Sequence, residues 1–170
     1  NYVNHGSWKM FSPNGNVQAE GQYHFGRRVG LWTRWHAAND SKLFGENPFQ
    51  EFKAPFMSQV NFTDGVMDGE WIITDANDRK VCQIALKDGQ RHGLAIFWLP
   101  NGSTYRQATY ENGMPVGDLL EISKKTGKVE RTATYSEGRK VVSKTEYYSG
   151  EKQKKSEALY LSPAATQQPA

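Results

Sequence analysis

Gly89-Gln-Arg-His-Gly93-Leu-Ala-Ile-Phe-Trp98-Leu-Pro-Asn101-Gly102-Ser-Thr-Tyr-Arg106-Gln-Ala-Thr-Tyr110-Glu-Asn-Gly113 is the stretch whose reading decides the fold. It holds two runs of about six to eight residues, rich in aromatic and β-branched side chains, separated by Asn-Gly and closed at both ends by glycine. No sustained apolar spacing at i, i+3, i+4, i+7 runs through it, so helix is a poor reading. The stretch is a hairpin, and its two bounding glycines lie 24 residues apart.

The same spacing recurs on either side. Glycines two residues ahead of a bulky position stand at Gly6-Ser-Trp8, Gly30-Leu-Trp32, Gly69-Glu-Trp71, Gly93-Leu-Ala95 and Gly117-Asp-Leu119. A second glycine precedes each of the last four by four residues, at Gly26, Gly65, Gly89 and Gly113, and Gly138 continues that series. A third register reads Asn14-Gly15, Asn39-Asp40, Asn77-Asp78, Asn101-Gly102 and Thr126-Gly127. Three coincident registers define a tandem repeat. The one irregular spacing, 39 residues between Gly30 and Gly69, places an insertion at about 40–54. A surface turn absorbs such added length at small entropic cost.

Two kinds of turn alternate. Asn-Gly at 14–15 and 101–102 predicts the two-residue hairpin turn in which both central residues take φ > 0. The Gly-x-x-x-Gly links supply the other reversal. Short connections make consecutive strands antiparallel neighbours. The expected fold is all-β: an elongated, twisted, single-layer antiparallel β-meander of roughly ten to twelve strands. The repeat domain is expected over 1–161, with units near 5–29, 30–68, 69–92, 93–116 and 117–150, and a disordered tail over 162–170.

Composition agrees with a thin architecture. Hydrophobic residues make up 37% of the 170, too few for a thick core, whereas glycine (16 residues) and aromatics (12%) are plentiful. The net charge of +3 falls wholly within 118–170, because 1–117 carries equal numbers of basic and acidic residues. That excess is too weak to call for a nucleic-acid partner. No run approaches the ~18 apolar residues of a membrane-spanning helix. A single cysteine, Cys82, leans toward the cytoplasm. The chain opens at Asn1 rather than Met, which reads as processing or trimming and leaves periplasm and secretion open.

His5, His24, His36 and His92 share no metal-ligand spacing with one another or with Cys82. No phosphate loop, dinucleotide fingerprint or nucleophile elbow occurs. No catalytic, cofactor or metal residue is therefore expected.

The aromatic and basic residues offer binding candidates. Trp8, Trp32 and Trp71 should form a ladder on one face, either as the core of the sheet or as an aromatic groove for an extended peptide. Trp35 and Trp98 join them as candidates. Phe44, Phe49 and Phe52 of the insertion either fold back over the sheet's apolar face or form a partner patch. Lys152, Lys154 and Lys155 are the candidates for contact with an anion or with lipid headgroups.

These motifs resemble a known family. Tyr110-x-Asn112-Gly113-x-x-x-Gly117 resembles the MORN repeat. The pattern Asp/Asn-Gly-x-x-x-Gly-x-Trp followed by Asn-Gly resembles its longer bacterial variant, found in YwqK-family antitoxins. The likeness covers about residues 5–150 and departs at Ala95, which stands where the Trp is expected, and at Thr74. It implies a non-catalytic module of protein interaction or scaffolding, with an antitoxin that binds a toxin, or a peripheral module on anionic lipid, as the alternatives.

Overall fold

A computed structural model of the chain describes residues 2–136, 140–147 and 154–159. Among them run twelve strands: β1 (Gly6–Phe11), β2 (Val17–His24), β3 (Arg27–His36), β4 (Phe56–Thr63), β5 (Val66–Thr74), β6 (Lys80–Lys87), β7 (Gln90–Trp98), β8 (Thr104–Glu111), β9 (Met114–Ile122), β10 (Val129–Ser136), β11 (Lys140–Tyr147) and β12 (Lys154–Leu159). They form one open sheet in sequence order, each strand antiparallel to the next. The expected β-meander is thus the fold observed.

The turns differ from the sequence reading in one respect. Positive φ at two successive residues occurs at Phe25-Gly26 (46° and 81°), Asp64-Gly65 (52° and 88°), Asp88-Gly89 (50° and 76°) and Asn112-Gly113 (48° and 82°). These are the two-residue hairpin turns, and they belong to the Gly-x-x-x-Gly links. At 14–15 and 101–102 only the glycines, Gly15 and Gly102, have positive φ. There each glycine N–H donates to the carbonyl three residues back, Ser12 and Leu99, at 2.9 Å. Asn101 serves through its side chain, whose Oδ1 accepts from the Ser103 N–H at 3.0 Å. The result is a longer loop with one left-handed residue, which Asn-Gly also satisfies.

The second glycine of each link has a separate task. Gly30, Gly69, Gly93 and Gly117 also have positive φ, and the register slips beside each of them in the β2–β3, β4–β5, β6–β7 and β8–β9 pairs. A recurrent bulge of this kind bends the strand and increases local twist. Successive hairpins are also tied at their tips. The turn amide of Gly65 donates to Arg28 O and that of Gly113 to Arg91 O at 2.8 Å, with Gly89 to Met67 O at 2.9 Å. Each repeat therefore leans on the one before it, the nearest-neighbour coupling of a repeat array.

Side chains of alternate residues share a face, and the register carries one row across the sheet: Trp32 opposite Val60, Trp71 opposite Ile84, Ile84 opposite Ala95, Ala95 opposite Ala108. This apolar face holds the core. One cluster gathers Trp32, Val60 and Phe62 with Trp8, Tyr23 and Trp71 against it. A larger one gathers Ile73, Val81, Cys82, Ile84, Ala95, Phe97, Leu99 and Tyr105 with the phenylalanines of the insertion.

Candidate functional site

The insertion decides which part of the apolar face stays open. It folds as two short 3₁₀ turns, Lys42–Gly45 and Phe49–Glu51. Phe44 stacks on Phe56 with centroids 4.8 Å apart, and Phe49 meets Phe44 and Phe56 edge-on at 5.4 Å. Phe44, Phe49 and Phe52 are all buried. Of the two destinations open to them, the three phenylalanines take the inward one. Of the two readings, fold-back over the sheet is the one their burial matches: aromatic rings with an uncovered apolar sheet beneath them gain more by burial there than by facing water.

Polar contacts from two other parts of the sheet fasten the second half of this cover. Lys53 O accepts from the Ala76 N–H at 2.8 Å, and the Lys53 N–H approaches Asp75 Oδ2 at 3.4 Å. Asp75 has no exposed side-chain surface and also accepts from Arg79 Nε and Nη2 at 3.0 and 2.6 Å. Burial by itself would raise the Asp75 pKa, but the Arg79 guanidinium and the amides of Arg79, Asn77 and Lys53 outweigh it and hold the carboxyl below its usual 3.8. On the far side Lys124 Nζ donates to Asn47 Oδ1 at 2.9 Å and to Glu51 Oε1 at 2.5 Å.

Beyond the cover, the face over β1–β5 remains open as a groove of about 350 Å³. Trp8, Trp32 and Trp71 line it together with Met10, Val60, Phe62 and Met67. The rings of Trp8 and Trp32 lie 5.5 Å apart, and Tyr23 meets both edge-on. Arg28, Arg34 and His36 join the lining from β3, whereas no aspartate or glutamate does. The Arg28 guanidinium sits 4.7 Å from the Trp32 centroid and 5.3 Å from that of Phe62. Among the described residues Arg34 has no carboxylate partner. His36 marks the boundary, with Nε2 2.8 Å from Ser58 Oγ and its ring 5.1 Å from that of Phe44. Its burial, seconded by the charge of Arg34, lowers its pKa below 6.5, against a smaller opposing pull from Asp40.

Trp8, Trp32 and Trp71 are thus brought together, but Trp35 and Trp98 are not. Trp35 lies three residues beyond Trp32 on a stretch of β3 that pairs with β4 without irregularity, so it faces the opposite way. Trp98 follows the inward Phe97 and has Lys80 Nζ 6.0 Å from its ring centroid. Lys152 lies outside the described residues. Lys154 and Lys155 begin β12, where only the strand is described. Cys82 is buried, and burial pushes its thiol up to about 12 despite the Ile73 amide and the Arg91 charge.

Sequence reasoning missed Arg28, Arg34 and His36. Their signal was present, because 28, 30, 32, 34 and 36 alternate along one strand with Trp32 among them. It also missed a role for two histidines. His5 Nδ1 accepts from the Phe25 N–H at 3.4 Å, and His92 Nδ1 from the Asn112 N–H at 3.5 Å. Each histidine precedes a bulge or edge glycine and reaches the turn residue 20 positions on.

The family comparison falls on those two places. Residues 4–24 and 91–112 match the MORN repeat variant. No curated protein matches the chain. Each MORN match contains one of the His-Gly pairs, His5-Gly6 or His92-Gly93, and stops at or just before the turn that the histidine supports. MORN repeats are commonly interaction or membrane-binding modules.

Proposed function

We propose that this chain is a non-catalytic interaction module that receives a protein partner on the open half of its apolar face, over β1–β5. The observation that carries this reading is the division of that face: the insertion covers one half with its own phenylalanines, while the other half keeps a groove of about 350 Å³ walled by Trp8, Trp32 and Trp71. A groove with aromatic walls and a few polar groups is the ordinary form of a recognition site. Antitoxin action and contact with anionic lipid are separate readings, resting on the family resemblance and on Lys152, Lys154 and Lys155, and no described side chain favours either.

The test is co-purification with the wild-type chain and with Trp8→Ala, Met67→Ser and Leu94→Ser. Met67 lines the groove, whereas Leu94 is exposed on the opposite face. Partners retained by Leu94→Ser and lost by both groove variants are expected. The same set of partners on all four proteins would refute the reading.

A further inference from the structure

We propose that the occupant of this groove is acidic: an extended protein segment that seats an apolar side chain among Trp8, Trp32 and Trp71 and sets a carboxylate against Arg28, Arg34 or both. This rests on the groove being the docking site. The lining is apolar at its centre and basic toward two ends, with no acidic residue anywhere in it. Neither arginine has a carboxylate partner among the described residues, and Arg28 is spread over the faces of Trp32 and Phe62. A cation held on an aromatic face keeps its outer side free for a second, anionic partner.

The spacing selects among anionic ligands. Arg28 and Arg34 stand opposite Tyr23 and Ala19, which are four residues apart on β2, so the bulge at Gly30 leaves them about 13 Å apart along the sheet. A compact anion or a single lipid headgroup meets one of them, whereas an extended segment lying along β3 spans both. The cavity is at the small end of ligand pockets, so it holds one or two side chains and leaves the rest of the segment along its rim. The chain's own 162–170 stretch has no acidic side chain and supplies no charge match. A paired carboxylate and guanidinium also steer encounter and fix register.

The experiment pans a random-peptide display library on the immobilised protein and measures selected peptides by fluorescence anisotropy at low and high salt. Wild type, Arg34→Glu, Trp8→Ala and Met67→Ser are compared, each checked for folding by urea titration. The inference requires enrichment of Asp or Glu beside an aromatic or aliphatic residue, weaker binding at high salt, and a loss of about tenfold in affinity in Arg34→Glu. Peptides that bind, are lost in Trp8→Ala and Met67→Ser, but lack acidic bias and ignore Arg34→Glu would overturn the acidic inference and leave the groove standing. Peptides indifferent to both groove variants, or no selected peptide at all, would overturn the groove as well. Binding confined to phosphatidylserine vesicles would overturn the protein-segment assignment.

Discussion

The indole of Trp32 packs directly on the backbone of Gly21, so closely that a Cβ at Gly21 would lie 2.3 Å from two of its ring atoms. Trp32 Nε1 also donates to the neighbouring Gln22 carbonyl at 3.2 Å. Glycine in a strand interior weakens it by leaving nothing to pack, and here a ring from the next strand fills that gap. Gly21→Ala must move the indole out of the row. It is expected to cost about 1–3 kcal/mol by overpacking. Urea unfolding followed by tryptophan emission measures this, and an unchanged midpoint contradicts the packing.

The insertion phenylalanines supply a core layer that the sheet lacks. Phe49 is 1% exposed and meets Phe44, Phe56 and Phe97. Phe49→Ala is expected to cost about 3–5 kcal/mol, the range for truncating a buried phenylalanine. It should also raise binding of a hydrophobic dye. A cost below 1 kcal/mol would mean that the cover contributes little.

Stability should fall with acid in two windows. His36 has a folded pKa below 6.5, so the unfolded chain takes the proton first. Stability is full above 6.5 and declines as pH drops through that value. Asp75 has a folded pKa below 3.8, so its contribution is present above 3.8 and is lost as pH falls toward the folded value. Urea midpoints between about pH 7.5 and 5, a range that brackets the ordinary histidine pKa of about 6.5, should drop in the wild type and flatten in His36→Gln. Equal slopes in the two proteins would remove His36 as the cause.

Cys82 is 1% exposed, and its thiol is pushed up to about 12. The thiolate is the reactive form. A thiol reagent at neutral pH should therefore label the protein only as fast as it unfolds, and labelling should track urea concentration. Rapid labelling of the native chain would contradict the burial.

Phe25 is 69% exposed and has a φ of 46° in a turn position where the equivalent residues are Asp64, Asp88 and Asn112. Bulky side chains tolerate that region poorly, whereas asparagine accepts it. Phe25→Asn is expected to stabilise by about 1 kcal/mol. A loss would show that its contacts with His5 and His24 outweigh the strain.

What was legible in the sequence follows from which constraints are local. The repeat was readable because positive φ at Gly65 or Gly89 is a demand of one or two residues on themselves. The turn types were exchanged because Asn-Gly suits both the two-residue turn and the longer loop around Gly15 and Gly102. The path of the insertion was not readable, since it depends on Lys124 and Asp75 meeting a loop distant in sequence. The ladder was half readable: period alone aligned Trp8, Trp32 and Trp71. Strict alternation along β3 was needed to send Trp35 outward and bring Arg34 and His36 in.

The bond from Lys124 to Glu51 joins residues 73 apart in the chain. During synthesis at about 5–20 residues per second, Glu51 therefore waits roughly 4–15 s before its partner exists. For part of that interval Phe44, Phe49 and Phe52 have emerged ahead of β6–β8, whose residues complete the cluster they pack in. The order of the letters thus sets a window of exposure for the nascent chain, one that narrows as the eighth strand is made and whose last fastening waits for the loop after the ninth.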